Sequence, residues 1–164
     1  MERRELFSSL ASKFRKQESV KNIIRPPYFK DENDFLEQCI DCEGLCVESC
    51  DEGIIKMGED KTPFIDFSIS GCTYCDDCAQ ACEPDVLTIE QKQNIPQNIE
   101  IDMLKCVSWH QVMCFSCKDP CLDDAIEFLG MFRPKINSNK CTNCGFCIKY
   151  CPADAITLKD LNNG

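Results

Sequence analysis

The chain has 164 residues, of which 43% are hydrophobic, enough for one ordinary domain or two very small ones. Its net charge is -10, divided unevenly: residues 1–30 carry eight Lys and Arg against three Asp and Glu, so the rest is strongly acidic. Such a body repels phosphate and excludes nucleic acid as its natural partner. No apolar run approaches the roughly 20 residues needed to span a membrane, so no membrane span is expected.

In chain order, Leu6, Leu10 and Phe14 recur at helical spacing with Phe7 beside them and basic residues elsewhere. This predicts a short amphipathic helix over about residues 2–20, either packed on the body or used as a docking segment. Arg3 and Arg4 form a twin arginine, but no apolar stretch follows, so an export signal is not indicated. Arg25-Pro26-Pro27-Tyr28 ends any helix and reads as a boundary. Residues 1–33 are therefore a basic N-terminal segment.

The body is organised by 16 cysteines in four groups of four with none left over. They are Cys39, Cys42, Cys46, Cys50; Cys72, Cys75, Cys78, Cys82; Cys106, Cys114, Cys117, Cys121; and Cys141, Cys144, Cys147, Cys151. The last group, C-x2-C-x2-C-x3-C followed at once by Pro152, has the spacing by which ferredoxins of the bacterial type hold a cubane 4Fe-4S cluster. Three thiolates on a tight loop reach three corners of one cube, and the fourth points to the partner cluster. The second group has the same spacing, although Glu83 precedes its proline. The first has one residue more before Cys46. The third departs most, with seven residues, Val107 to Met113, between its first two cysteines. A cubane with a looped-out first ligand is the favoured reading there; a three-iron cluster, a site without iron, or zinc are the alternatives. Three or four 4Fe-4S clusters are thus expected, with all 16 cysteines as ligands. His110, the one histidine, reads as a surface or shielding residue beside Trp109.

From Asp34 the chain repeats, about every 30 to 35 residues, a unit of strand, cysteine loop, short helix and strand. Alternating segments flank the groups: Gly53–Met57, Pro63–Ile69, Val86–Ile89, Ile99–Met103, Ala125–Leu129, Pro134–Asn137 and Ala155–Leu158. A polar stretch, Gln91 to Asn98, reads as a linker. The fold expected is α+β: tandem ferredoxin-like modules of short hairpins and helices around clusters, 34–97 and 98–164, behind an N-terminal helical segment. Crossed fourth ligands would group Cys39, Cys42, Cys46 with Cys82; Cys72, Cys75, Cys78 with Cys50; Cys106, Cys114, Cys117 with Cys151; and Cys141, Cys144, Cys147 with Cys121. Nested pairing, first group with fourth and second with third, is the alternative. Gly71, Ala79, Ala81, Gly145 and Ala153 would let the backbone approach the clusters, and Ile89, Phe128, Phe146 and Ile156 would exclude water from them.

Over nearly its full length the chain resembles the ferredoxin-type NapF family. The resemblance rests on Arg3-Arg4, Arg25-Pro26-Pro27-Tyr28, Phe35-Leu36 before Cys39, the irregular spacing from Cys106 to Cys121, and Asn143-Cys144-Gly145. It implies a cytoplasmic iron-sulfur protein, not an enzyme. The implied partner is the precursor of the catalytic subunit of the periplasmic nitrate reductase, whose maturation it assists before export. Three cluster sites at the regular groups are implied too. An electron carrier in the nitrate reductase respiratory chain is the alternative reading.

Overall fold

A computed structural model of the chain describes residues 23–159. The expected amphipathic helix over residues 2–20 lies outside them. Among the described residues, the elements are α1 (Asn33–Gln38), α2 (Leu45–Glu48), β1 (Ile55–Met57), β2 (Pro63–Ile65), α3 (Asp77–Gln80), β3 (Asn98–Ile101), β4 (Ile126–Leu129), β5 (Phe132–Ile136), α4 (Phe146–Lys149) and β6 (Ile156–Lys159). Two 3-10 turns, Ile89–Gln91 and Val107–His110, complete the set.

The strands form three antiparallel pairs. β1 meets β2 with Ile55 opposite Ile65, across a turn in which Asp60 Oδ1 accepts from the Thr62 amide (3.0 Å) and hydroxyl (2.8 Å). β4 meets β5 with Ile126 opposite Ile136 and a bulge at Phe128/Leu129, and β3 meets β6 with Ile99 opposite Leu158. Residues 98–159 thus close their outer strands on each other around an inner hairpin. Residues 23–97 repeat that plan with a weaker outer closure: Val86–Ile89 forms no strand, and a single bridge joins Phe29 to Leu87. Ile89 instead opens a 3-10 turn and is 45% exposed, so it shields nothing.

A local repeat underlies both halves. The third cysteine of the first, second and fourth groups sits second in a four-residue helix: Cys46 in α2, Cys78 in α3, Cys147 in α4. Each helix is entered through a left-handed residue, Gly44, Asp76 or Gly145. Three residues after the fourth cysteine of every group the backbone again turns left-handed, at Gly53, Asp85, Asp124 and Asp154. The amide of that residue donates to the carbonyl of the fourth cysteine at 2.9, 3.3, 3.2 and 3.3 Å respectively. Glycine, and aspartate with its short polar side chain, are the residues such a turn accepts at least cost.

Two segments differ from expectation. Arg25-Pro26-Pro27-Tyr28 is not a boundary outside the body but is buried in the first half, with both prolines below 2% exposure and Tyr28 at 1%. Two prolines fix an extended path and bring no amide that needs a partner, so the segment can enter a core at little polar cost. The 91–98 stretch is likewise no free linker. Ile95 is fully buried, its amide donates to Tyr74 Oη (3.1 Å), and its carbonyl accepts from Asn143 Nδ2 (3.1 Å). Gln93 ties back to the N-terminal segment through its amide to Pro27 O (2.9 Å) and its side chain to Phe29 O (2.8 Å).

Candidate metal centres

The 16 cysteines form no disulfide. They gather in the crossed groups, one thiol of each group coming from the neighbouring run. Cys82, Cys39 and Cys42 lie close enough to Cys46 to act on it electrostatically, which defines site one. Cys50, Cys72, Cys75 and Cys78 line one cavity, site two, with Pro27, Tyr28, Asp51, Glu52 and Asp76 around it. Cys106, Cys114, Cys117 and Cys151 line site three. Cys121, Cys141, Cys144 and Cys147 line site four, with Asp123 beside them. The nested alternative does not describe this arrangement.

The crossing follows from the local repeat. After the third cysteine the short helix carries the fourth away from the loop, and the left-handed turn that follows holds it there. The amide beyond that turn then donates to the fourth sulfur: Leu87 to Cys82, Ala125 to Cys121 and Ala155 to Cys151, each at 3.3 Å. Gly44 and Tyr74 donate to Cys42 and Cys72 at 3.4 Å. Amides aimed at sulfur favour its anionic, metal-bound form.

Burial acts in the opposite sense on the free thiols. It is the main cause that pushes Cys46 and Cys117 up to about 12 and Cys39 and Cys72 up to about 11, with neighbouring thiolates adding to it. Each site holds at least one buried cysteine, and four thiolates crowded together there, partly withdrawn from water, are untenable without cations among them. Among the described residues no three Cys, His, Asp or Glu side chains converge on a point where one metal ion would sit. The thiols of sites two, three and four stand on the walls of cavities, which suits a body with several iron atoms.

The irregular third group is accommodated without losing its cavity. Residues 107–110 coil into a 3-10 turn, Trp109 Nε1 donates to Pro134 O on β5 (3.3 Å), and His110 Nε2 lies 2.9 Å from Leu104 O. The insertion is folded outward against β5 and the 103–105 turn, while Cys106 and Cys114 both return to the wall of site three. Cys117 lies in a turn, without the short helix of the other groups, and is still buried.

Sites two and four adjoin. The amide of Cys72 donates to the carbonyl of Cys144 (2.7 Å). Tyr74 Oη donates to Thr142 O while accepting from the Ile95 amide. Sequence reasoning missed Tyr28, Tyr74 and Ile95. Tyr74 lies between two cysteines, where the spacing drew the eye to sulfur, and the polar stretch around Ile95 concealed it. Removing the Tyr74 hydroxyl leaves the buried amide of Ile95 without its partner, so Tyr74→Phe is expected to cost about 1–3 kcal/mol. Denaturant titration followed by the visible absorbance of the clusters measures it, and a loss under about 0.5 kcal/mol would show that the hydroxyl is not a staple.

The 4Fe-4S binding domain family matches residues 134–157, which hold the fourth group and its flanking strands. The small mixed helix and strand architecture fits a ferredoxin-like fold, and the chain is a ferredoxin-type protein that binds multiple 4Fe-4S clusters. It is similar to the ferredoxin-type protein NapF of Escherichia coli (strain K12), 33% identical over 145 residues covering 86% of this chain and 87% of that protein. The NapF of Haemophilus influenzae is 31% identical over 143 residues, 84% and 80% of the two chains. The methylamine utilization ferredoxin-type protein MauM of Methylorubrum extorquens is 32% identical over 149 residues, 78% and 67% of the two chains. The chain belongs to the ferredoxin-type NapF family. It is accordingly an iron-sulfur electron-transfer or accessory protein. Among the described residues no helix is long and apolar enough to cross a membrane.

Proposed function

We propose that the chain is a cytoplasmic accessory protein whose two tandem modules, 34–97, with the mostly buried 24–29 segment packed into it, and 98–164, assist maturation of the catalytic subunit of a periplasmic nitrate reductase before its export. All 16 cysteines are its cluster ligands in the crossed groups described above. The observation that supports the ligand assignment is the gathering of four thiols on each of three cavities, and of Cys39, Cys42, Cys46 and Cys82 within electrostatic reach of one another, every group completed by a cysteine from the neighbouring run. Bound 4Fe-4S clusters supply storage and exchange of single electrons. The protein's own part is to hold the thiolates, aim amides at them and keep water out.

The names of the NapF relatives, together with the basic segment ahead of an acidic body, support the nitrate reductase client. Opposite net charge on the first 30 residues and on the rest of the sequence gives a partner two signs to read, which favours one orientation of docking. Removing residues 1–20 is expected to abolish binding of the precursor subunit while iron content and cluster spectra stay as in the intact chain. Pull-down and calorimetric titration against the purified precursor check this. Binding that survives the truncation would move the docking surface to the cysteine modules and favour a second reading, a soluble electron carrier. The likeness to MauM, named for a different metabolism, is what supports that second reading.

A further inference from the structure

The Arg-Pro-Pro-Tyr segment carries a buried cation that the cluster sites leave unexplained. Arg25 is 5% exposed, with Nη1 donating to Thr62 Oγ1 (2.7 Å) and Pro63 O (2.8 Å). Its guanidinium lies over the Phe35 ring, 4.7 Å from the centroid. Phe35 lies one turn before Cys39, whose amide donates to the Phe35 carbonyl (3.2 Å). Nε is buried without a hydrogen bond, and its nearest carboxylate is Glu32 at 3.8 Å, 66% exposed. Asp60, reached through the Thr62 hydroxyl, is also exposed.

A guanidinium cannot shed its charge, and a buried one is costly without an anion in the same dry environment. Glu32 and Asp60 stand in water, which screens them. The dry site beside this cation that becomes negative when it holds a cluster is site one: the ring under the guanidinium belongs to α1, whose C-cap is Cys39, and Phe35, Cys39 and Cys46 share one buried apolar core.

Among the described residues the other sites have no buried cation beside them: Lys92 near site two and Lys118 near site four both stand partly in water. Site two is bordered by Asp51, Glu52 and Asp76, of which Asp76 is paired with Lys92 Nζ at 2.7 Å. Site four has Asp123 at its edge, and the lining of site three holds no charged side chain other than its thiols.

We infer that Arg25 is a tuning residue for site one, which makes the group of Cys39, Cys42, Cys46 and Cys82 the most easily reduced of the cluster sites. The inference rests on the iron-sulfur reading of that group. Reduction adds one electron, and so one negative charge, to a bound cluster, and a fixed cation close by stabilises that added charge. With sites two and four adjoining across the chain, electrons entering at any site would then settle at the end built from residues 24–46.

The test is a redox titration of the anaerobically purified full chain, followed by electron paramagnetic resonance, with iron and sulfide counted on every sample. Cys39→Ala with Cys42→Ala should remove about four iron and the component of highest potential together. Arg25→Met at full iron content should move that component down towards the others, and Arg25→Lys should restore most of the difference. Arg25→Gln, which removes the charge but keeps a side-chain donor for Thr62 and Pro63, should move the same component down as well, and it decides the matter if Arg25→Met fails to load. The inference is overturned if the component survives loss of Cys39 and Cys42, or if it is unmoved in a fully loaded Arg25→Met or Arg25→Gln chain. An unchanged iron count in the Cys39, Cys42 variant would instead remove the underlying reading that this group holds a cluster.

Discussion

Cys151→Ala is expected to empty the site of Cys106, Cys114 and Cys117 while leaving Cys141, Cys144 and Cys147, the members of its own run, with their cluster. Cys121→Ala should do the reverse. The expectation follows from the cavities: Cys151 shares one with the third group's first three cysteines, and Cys121 shares one with the fourth group's. With four iron in each cubane, the intact chain should carry about 16 and each single variant about 12. Combination decides between crossed and uncrossed ligation, because two changes at one site are redundant and changes at separate sites add. Cys151→Ala with Cys141→Ala touches two crossed sites and should leave about 8 iron, whereas uncrossed ligation would leave about 12. Cys106→Ala with Cys114→Ala should match Cys151→Ala and gain nothing from being combined with it. An intact chain with about 12 iron, unchanged by Cys151→Ala, would mean that the third group holds no cluster.

Much of this arrangement is legible in the sequence because a metal site is specified by a few residues at short spacing. Cys141, Cys144, Cys147 and Pro152 announce a cubane without any knowledge of the rest, and the paired hairpins follow from alternation on either side. The Gly or Asp three residues after Cys50, Cys82, Cys121 and Cys151 takes on meaning only from the backbone, where its left-handed turn ties the two irregular groups to the regular ones more firmly than cysteine spacing does. What could not be read locally is what depends on distant partners. Arg25 looks like part of a solvated basic tail until Thr62 and Pro63, 37 and 38 residues on, are seen to receive it. Ile95 sits in a run of Gln, Asn and Lys with no apolar period, and its burial is decided by Tyr74 and Asn143, one from each half. Val86–Ile89 has the composition of a strand yet forms a single bridge, because its opposite number is the proline-rich segment, which offers few amides to a ladder.

The second large effect is expected where the two halves meet, at a reciprocal pair of glycines. Gly71, just before Cys72, faces Phe146, and a Cβ there would stand 2.5 Å from the Phe146 backbone nitrogen. Gly145, just before Phe146, faces Phe67, and a Cβ there would fall within the Phe67 ring. These glycines fit an aromatic ring from the opposite half, beyond the approach to a cluster that their place beside cysteines implies. Gly145 also has φ +86, so any side chain is strained there as well as blocked. Gly145→Ala is expected to cost about 2–5 kcal/mol, with overpacking and backbone strain each contributing. Gly53, at φ +64 with open space around it, isolates the strain alone, and Gly53→Ala should cost about 1–2 kcal/mol. Trimming the ring, as in Phe67→Leu, should recover part of the Gly145→Ala loss but none of the Gly53→Ala loss. Gly71→Ala should resist rescue by Phe146→Leu, because the obstacle there includes backbone that cannot be trimmed. Denaturant midpoints of the loaded proteins, read by cluster absorbance and near-ultraviolet circular dichroism, provide the comparison. Equal costs for Gly145→Ala and Gly53→Ala would mean that the ring contact contributes nothing. The Cys72 to Cys144 hydrogen bond would then hold sites two and four together without the aromatic clasp.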